Sequence, residues 1–149
     1  MDDASFRGDC GRCIGLCCSE LSFDRGPHFA FDKPAGERCR HLNAAQRCVI
    51  HHRLAAEGMA GCAAYDCLGA GQLVTAMFAG LDAPSVARAR GAAFLRVRQV
   101  QALRLRLAGA DRALEAALTG AIGSYAALLR LDLAAARKAV AAAICAPAA

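Results

Sequence analysis

Eight of the nine cysteines in this 149-residue chain fall within its first 67 residues. They are Cys10, Cys13, Cys17, Cys18, Cys39, Cys48, Cys62 and Cys67, and only Cys145 lies beyond them. Thiols this dense constrain a fold more than any other feature of the sequence. Crosslinked in pairs, they would pin loops to one another. Gathered on a soft metal, they would force the backbone to turn until several sulfurs face a common centre. Either way, the first half of the chain must be shaped around sulfur.

The choice between the two depends on compartment. Met1-Asp2-Asp3 is acidic and no apolar run precedes Cys10, so the start does not read as a secretory signal. No stretch reaches about 18 uninterrupted apolar residues, so no membrane span is expected. A reducing cytoplasm is the expected compartment. There, a cysteine cluster is expected to bind metal or carry redox chemistry rather than to form a disulfide framework.

Composition divides the chain. Residues 1–80 hold almost all the Cys and all four His, with Gly8, Gly11, Gly15 and Gly26 breaking any regular element near the first thiols. From about residue 85 onward Ala, Leu and Arg dominate. The boundary is expected at Gly80-Leu81-Asp82-Ala83-Pro84, where Gly and Pro punctuate the sequence. The expected fold is mostly α: an irregular, cysteine-rich metal-binding module at 1–80, then an α-helical hairpin at 81–149.

Within the first half, Phe29-Ala30-Phe31 reads as a short strand before the Asp32–Gly36 turn. Residues 48–57 read as a short helix ended by Gly58 in the left-handed conformation. Residues 72–78 read as another, following Gly69-Ala70-Gly71. Within the second half, Ala93, Val97, Val100, Leu103 and Leu107 recur at steps of three and four and predict a helix over 85–107. Leu103-Arg104-Leu105-Arg106-Leu107 also alternates as a half-buried strand would, but the helix propensity of Ala, Leu, Arg and Gln favours the helix. Asp111 is a candidate N-cap. Leu114, Leu118, Ile122, Tyr125, Leu129, Ala136, Val140 and Ile144 predict the second arm. Gly120 and Gly123 weaken it, Asp132 marks a break, and Pro147 lies past its end.

Cys10-Gly11-Arg12-Cys13 is a C-x2-C step, a spacing that lets two sulfurs converge on one metal. Cys17-Cys18 is different. Neighbouring side chains diverge, so the pair is expected to divide between a ligand and a structural thiol, or between two metals. Zinc ribbons carry two C-x2-C knuckles and this chain has one. Iron–sulfur clusters accept less regular spacing and need four thiolates, so a cluster is preferred slightly over zinc.

The phrases Cys10-Gly-Arg-Cys-Ile-Gly-Leu-Cys-Cys18, Lys33-Pro-Ala-Gly-Glu-Arg-Cys-Arg-His-Leu42, Arg47-Cys-Val-Ile-His51 and Gly61-Cys-Ala-Ala-Tyr-Asp-Cys-Leu-Gly-Ala-Gly-Gln72 resemble the CxxCxxCC, or YkgJ-type, family of zinc- or iron-chelating cysteine-cluster domains. The resemblance covers residues 6–75. Three residues separate Cys13 from Cys17 where the usual pattern has two. Proteins with pentapeptide repeats carry a more similar variant, with the same KPAG and YDC-x-GAGQ phrases, though no pentapeptide array follows here. Flagellin lysine methylases share the cysteine motif, and that resemblance implies an iron–sulfur centre associated with methyl transfer.

His51 stands three residues after Cys48 and on a helix would share its face, so it is either a further ligand or a surface histidine. His41 is a weaker candidate, and His28 and His52 read as surface residues. Tyr65, beside Asp66-Cys67, either hydrogen-bonds toward the centre or caps a small core. Residues 81–108 carry six arginines against Asp82, a net of +5. They recur every eight residues and wind round a helix by about 80° per repeat. With Phe94 as the one aromatic among them, they read as a solvated face rather than a nucleic-acid stripe. The expected function is binding of an iron–sulfur cluster or zinc in a structural or electron-transfer role. The alternatives are a metal- or cluster-dependent modifying enzyme, or an adaptor whose metal-ordered helices meet a protein partner. The expected partners are a metal ion and a protein met through the helical half, without nucleic acid or membrane.

Overall fold

Helix α4 (Pro84–Leu107) is the longest element and the one against which most of the other helices pack. The structure, a computed structural model, describes residues 4–81 and 84–146. The alternating Leu-Arg segment is helical. Coiled at 3.6 residues per turn, the chain lines up Ala93, Val97, Val100, Leu103 and Leu107 on one buried stripe, as their spacing predicts. Phe94, Gln101 and Arg104 are buried beside them.

Four short helices pack on α4 from one end of the chain to the other: α1 (Leu16–Glu20), α3 (Ala70–Met77), α5 (Arg112–Ala121) and α6 (Tyr125–Arg130), with α7 (Leu133–Cys145) completing the group. A further short helix, α2 (Ala60–Ala64), lies in the cysteine-rich half. Among the described residues there are seven α-helices, with 3-10 turns at Ala4–Phe6, Cys10–Arg12 and His51–Arg53, and no strand. One apolar core runs through the molecule. Leu16, Val74 and Phe78 from the first half share it with Phe94, Val97 and Val100 and with Leu118, Leu128 and Val140. It crosses the compositional boundary at residue 80. Asp82 and Ala83 of that boundary, and Pro147, lie outside the described residues.

The second arm of the expected hairpin is three helices. The reason is written in capping residues. Asp111 accepts the Leu114 N–H and starts α5. Gly120 and Gly123 weaken its end, and Ser124 accepts the Ala127 N–H to start α6. Asp132 accepts from the N–H groups of Ala134 and Ala135 and starts α7. Each restart rotates the apolar stripe. Leu128 is buried where Leu129 was expected, and Ile144 is exposed while Ala143 packs on the core.

Three of the six arginines of α4 depart from the expected solvated face, while Arg88 and Arg106 are exposed. Arg96 donates to the carbonyls of Leu128 and Leu131 and closes the end of α6. Arg98 donates to the Asp66 carbonyl at 3.0 Å. Arg104 pairs with Glu115 at 2.8 Å and donates to Gln101 Oε1 at 2.7 Å.

The first half is built of turns. Phe29-Ala30-Phe31 is not a strand: isolated bridges join Phe23 to Lys33 and Gly26 to Phe29, and Phe23 stacks on Phe29 with ring centroids 4.5 Å apart. Residues 48–57 form a 3-10 turn at His51–Arg53 and further turns rather than an α-helix, closed by Gly58 at φ +71. Seven residues between Ile50 and the left-handed Gly58 leave little room for i→i−4 bonding, and isolated turns of that length are marginal.

Candidate metal centre

The C-x2-C step is held by residues far along the chain. Asp9 caps the Cys10–Arg12 turn by accepting the Gly11 N–H at 2.9 Å. Arg47 then clasps it from outside: Nη1 donates to the carbonyls of Cys10 and Cys13 at 2.5 and 2.7 Å, and Nη2 to that of Gly11 at 2.7 Å. Gln72 of α3 accepts from Asp9 N–H and donates to the Arg7 carbonyl, while Thr75 accepts the Ile14 N–H. The turn is thus strapped to α3 on one side and to Arg47 on the other. Gly15 follows at φ +75, with Leu42 Cδ1 2.6 Å from where a Cβ would sit. Only glycine fits there. The reversal aims the N–H groups of Gly15 and Leu16 at the Cys13 sulfur.

Helix α1 begins at once and carries Cys17 and Cys18, side chains about 100° apart around its axis. The Cys18 carbonyl accepts the Cys39 N–H at 2.9 Å. Leu42 bridges to Cys48, which brings Cys48 back beside Cys39. Cys62 comes from α2, and Cys67 from the turn that leads into α3. All eight of these cysteines line one cavity of about 750 Å³. Cys145 does not; it is exposed at the end of α7. None of the nine is in a disulfide. His41, His51, Tyr65 and Asp66 also line the cavity, and His28 and His52 do not. Among the described residues, no three of Cys, His, Asp and Glu converge closely enough to share a single ion.

Burial and mutual repulsion oppose ionisation of several of these thiols. Cys10 and Cys13 are held above the ordinary thiol range, in each case first by burial. Cys10 is pushed further by its neighbours Cys17, Cys13 and Cys67. Cys62 is pushed up to about 11 by burial and then by Cys17, Cys39 and Cys48. The adjacent Cys17 and Cys18 thiols shift each other in opposite directions. The hydrogen bond from the Cys18 thiol draws Cys17 down to about 7, and the same bond, with burial, holds Cys18 far up. A nearby cation works against this balance. Lys33 is one: its buried ammonium donates to the carbonyls of Ser19, Leu21 and Pro34, and burial lowers its pKa, with the neighbouring Cys39 and Cys18 sulfurs first among the groups opposing that lowering.

Two local features also fit a bound soft centre. The Tyr65 hydroxyl is buried without a hydrogen-bond partner among the described residues, and desolvation first of all pushes it up to about 12. Gly71 leaves a cradle: a Cβ there would stand 2.7 Å from Cys13 Sγ and 3.9 Å from Cys67 Sγ. The donor set itself is soft, and thiolates with N–H donors on sulfur suit zinc or iron–sulfur ligation.

Arg47, Lys33, Gln72 and Gln101 are the positioning residues that motif reasoning passes over. Gln101 is fully buried in α4, and its amide donates to the carbonyls of Ser5 and Leu68 at 2.9 Å each. Lys33 and Arg47 do stand inside recognisable phrases, each within six residues of a cysteine, which was the available signal.

No family model matches the chain. No solved structure matches it. The chain is similar to the uncharacterized protein YybG of Bacillus subtilis (strain 168), with 48% identity over 67 residues. That stretch is 45% of this chain and 24% of YybG, so the chain spans about a quarter of the length of the relative it matches.

Proposed function

We propose that the cavity holds a soft metal centre, an iron–sulfur cluster in preference to zinc, in a structural or electron-transfer role. One observation carries the reading: all eight N-terminal cysteines line one cavity, unbridged, and Cys145 stands apart. Thiols merely filling space would be dispersed through the core, whereas here the buried core cluster is Leu, Val, Ile, Phe and Ala, and Cys13, Cys17 and Cys67 border it from the cavity. The single C-x2-C step and the irregular sequence spacing of the other cysteines support the cluster preference. A zinc ion needs four donors converging at about 2.3 Å from one point. A cluster sets its thiolates around a core of metal and sulfide and needs them further apart. When bound, a centre of this kind supplies positive charge to the thiolates and, if iron–sulfur, an exchangeable electron. The chain's own part is to hold the sulfurs in place through Arg47, Gln72 and Thr75, to direct N–H groups at Cys13, and to keep the Lys33 charge beside Cys18 and Cys39.

Anaerobic purification followed by iron, sulfide and zinc analysis tests the proposal. The expected protein is brown, with iron and sulfide in equal amounts and visible sulfur-to-iron absorption. Colourless protein with stoichiometric zinc would overturn the cluster preference, and protein free of either metal would overturn the whole reading.

A further inference from the structure

Helix α4 buries one side and leaves the other to solvent. Arg88, Ala92, Leu95, Gln99, Ala102 and Arg106 recur on the outward side at alternating steps of four and three. Ala102 is half-buried and the other five are exposed. At 1.5 Å per residue the stripe runs along about 27 Å of helix. Leu105 widens it at one edge, and Leu95 and Leu105 are 45% and 44% exposed. Two neighbours at the edge are already engaged. Arg98 is turned to the Asp66 carbonyl, and Glu20 of α1, which abuts Gly91, accepts the Ser19 hydroxyl. Alternating steps of four and three make the seam into which a second helix sets its own side chains.

Charge decides what kind of helix fits. Residues 84–149 carry ten basic and three acidic side chains. All three acids are in use: Asp111 and Asp132 cap α5 and α7, and Glu115 pairs with Arg104. Arg88 and Arg106, one at each end of the stripe, have no hydrogen-bond or ion-pair partner among the described residues. A second copy of this chain would meet them badly. Antiparallel helices would set Arg88 against Arg106, and parallel ones would set each against itself, a repulsive contact either way. The stripe has no aromatic side chain, since Phe94 is buried. It therefore offers neither a stacking platform for single-stranded nucleic acid nor an aromatic anchor for a bilayer.

We propose that the outward face of α4 docks an acidic amphipathic helix of a partner protein, its apolar seam on Leu95 and Leu105 and its carboxylates on Arg88 and Arg106. The inference stands apart from the metal-binding reading, because it uses the side of α4 that faces away from the core.

Fluorescence anisotropy of labelled synthetic helices titrated with the full chain tests it. One probe carries Leu and Ala along a heptad seam with Glu beside it, and its twin carries Lys in place of Glu. The parent should bind the Glu helix at least about tenfold more tightly than the Lys helix, and less tightly as salt rises. Arg88→Glu with Arg106→Glu should reverse that preference. Leu95→Ser with Leu105→Ser should weaken binding at least about tenfold and keep the preference. These four side chains are exposed, so both variants should retain the parent's circular dichroism and thermal midpoint. Arg137→Glu with Lys138→Glu makes the same change of net charge on α7 and should leave the preference for the Glu helix in place. The proposal is overturned if neither helix binds, if the two bind equally, or if the serine pair binds as the parent does. A preference reversed as fully by the α7 pair as by the α4 pair would overturn it too, as would duplex DNA or phosphatidylglycerol vesicles binding in place of the Glu helix.

Discussion

The two halves of this molecule reach order by different means. In α4 to α7 the apolar stripe, the helix propensity of Ala, Leu and Arg and three N-caps specify structure locally, and the core then fixes it. From residue 7 to 67 the chain makes local turns, but the ties that hold those turns to one another are long-range. Arg47 reaches the Cys10–Cys13 turn across more than 30 residues, and Gln72 reaches Arg7 across 65. Regular periodicity is a redundant code, because losing one residue leaves the stripe. A turn framework held by single long side chains has no such redundancy. On the proposed function, a metal centre held by the cavity thiols is what rewards the ordering.

Removing the metal is the sharpest way to break this comparison. Anaerobic chelation should cost the amides of Cys39, Leu42 and Val49 at least about a hundredfold in hydrogen-exchange protection, while those of Val97 to Leu103 keep most of theirs. Equal losses in both regions would show that the cysteine half orders itself without help.

The shared core limits the contrast. Phe94 is fully buried where α4 meets the rest of the core. Phe94→Ala should destabilise the whole protein by about 3–5 kcal/mol, with metal loss and helix loss in one thermal transition. Two separate transitions would mean that the halves fold independently. Gln101→Leu is expected to act more locally. It strips the donors from the Ser5 and Leu68 carbonyls and the acceptor from Arg104, at a cost of about 1–3 kcal/mol in chemical denaturation. An unchanged midpoint would remove Gln101 as the link between α4 and the cysteine half.

The helical half was the readable one. Ala93, Val97, Val100, Leu103 and Leu107 lie where their spacing puts them, because a long amphipathic stripe has one way to be buried. Asp111 and Asp132 were legible as a cap and a break. The exchange of Leu129 for Leu128 was not, since a cap that restarts a helix resets the phase of everything after it. In the cysteine half the identity of the cavity-lining thiols was legible, but their supports were not. Arg47, Lys33 and Gln72 act through carbonyls and amides whose positions depend on the finished fold. Phe29-Ala30-Phe31 has strand composition but gains only isolated bridges and no ladder, and its rings pack on Phe23 instead, Phe29 stacked and Phe31 edge-on.

Smaller effects sharpen the contrast further. Asp132→Ala should lower stability by about 1 kcal/mol through the lost α7 cap and leave metal content as it was. Tyr65→Phe should do the reverse. Deleting a hydroxyl that has no hydrogen-bond partner among the described residues should change the metal-free stability by less than about 1 kcal/mol, yet shift the spectrum or potential of the loaded centre. A spectrum identical to that of the parent would make Tyr65 a core residue only.

Counting reactive thiols in the native, anaerobically purified protein tests the central claim most directly. One thiol, Cys145, should be alkylated rapidly, and the other eight only after the metal is stripped or the chain unfolded. Eight further thiols reacting at once, with nothing released as they do, would contradict the account.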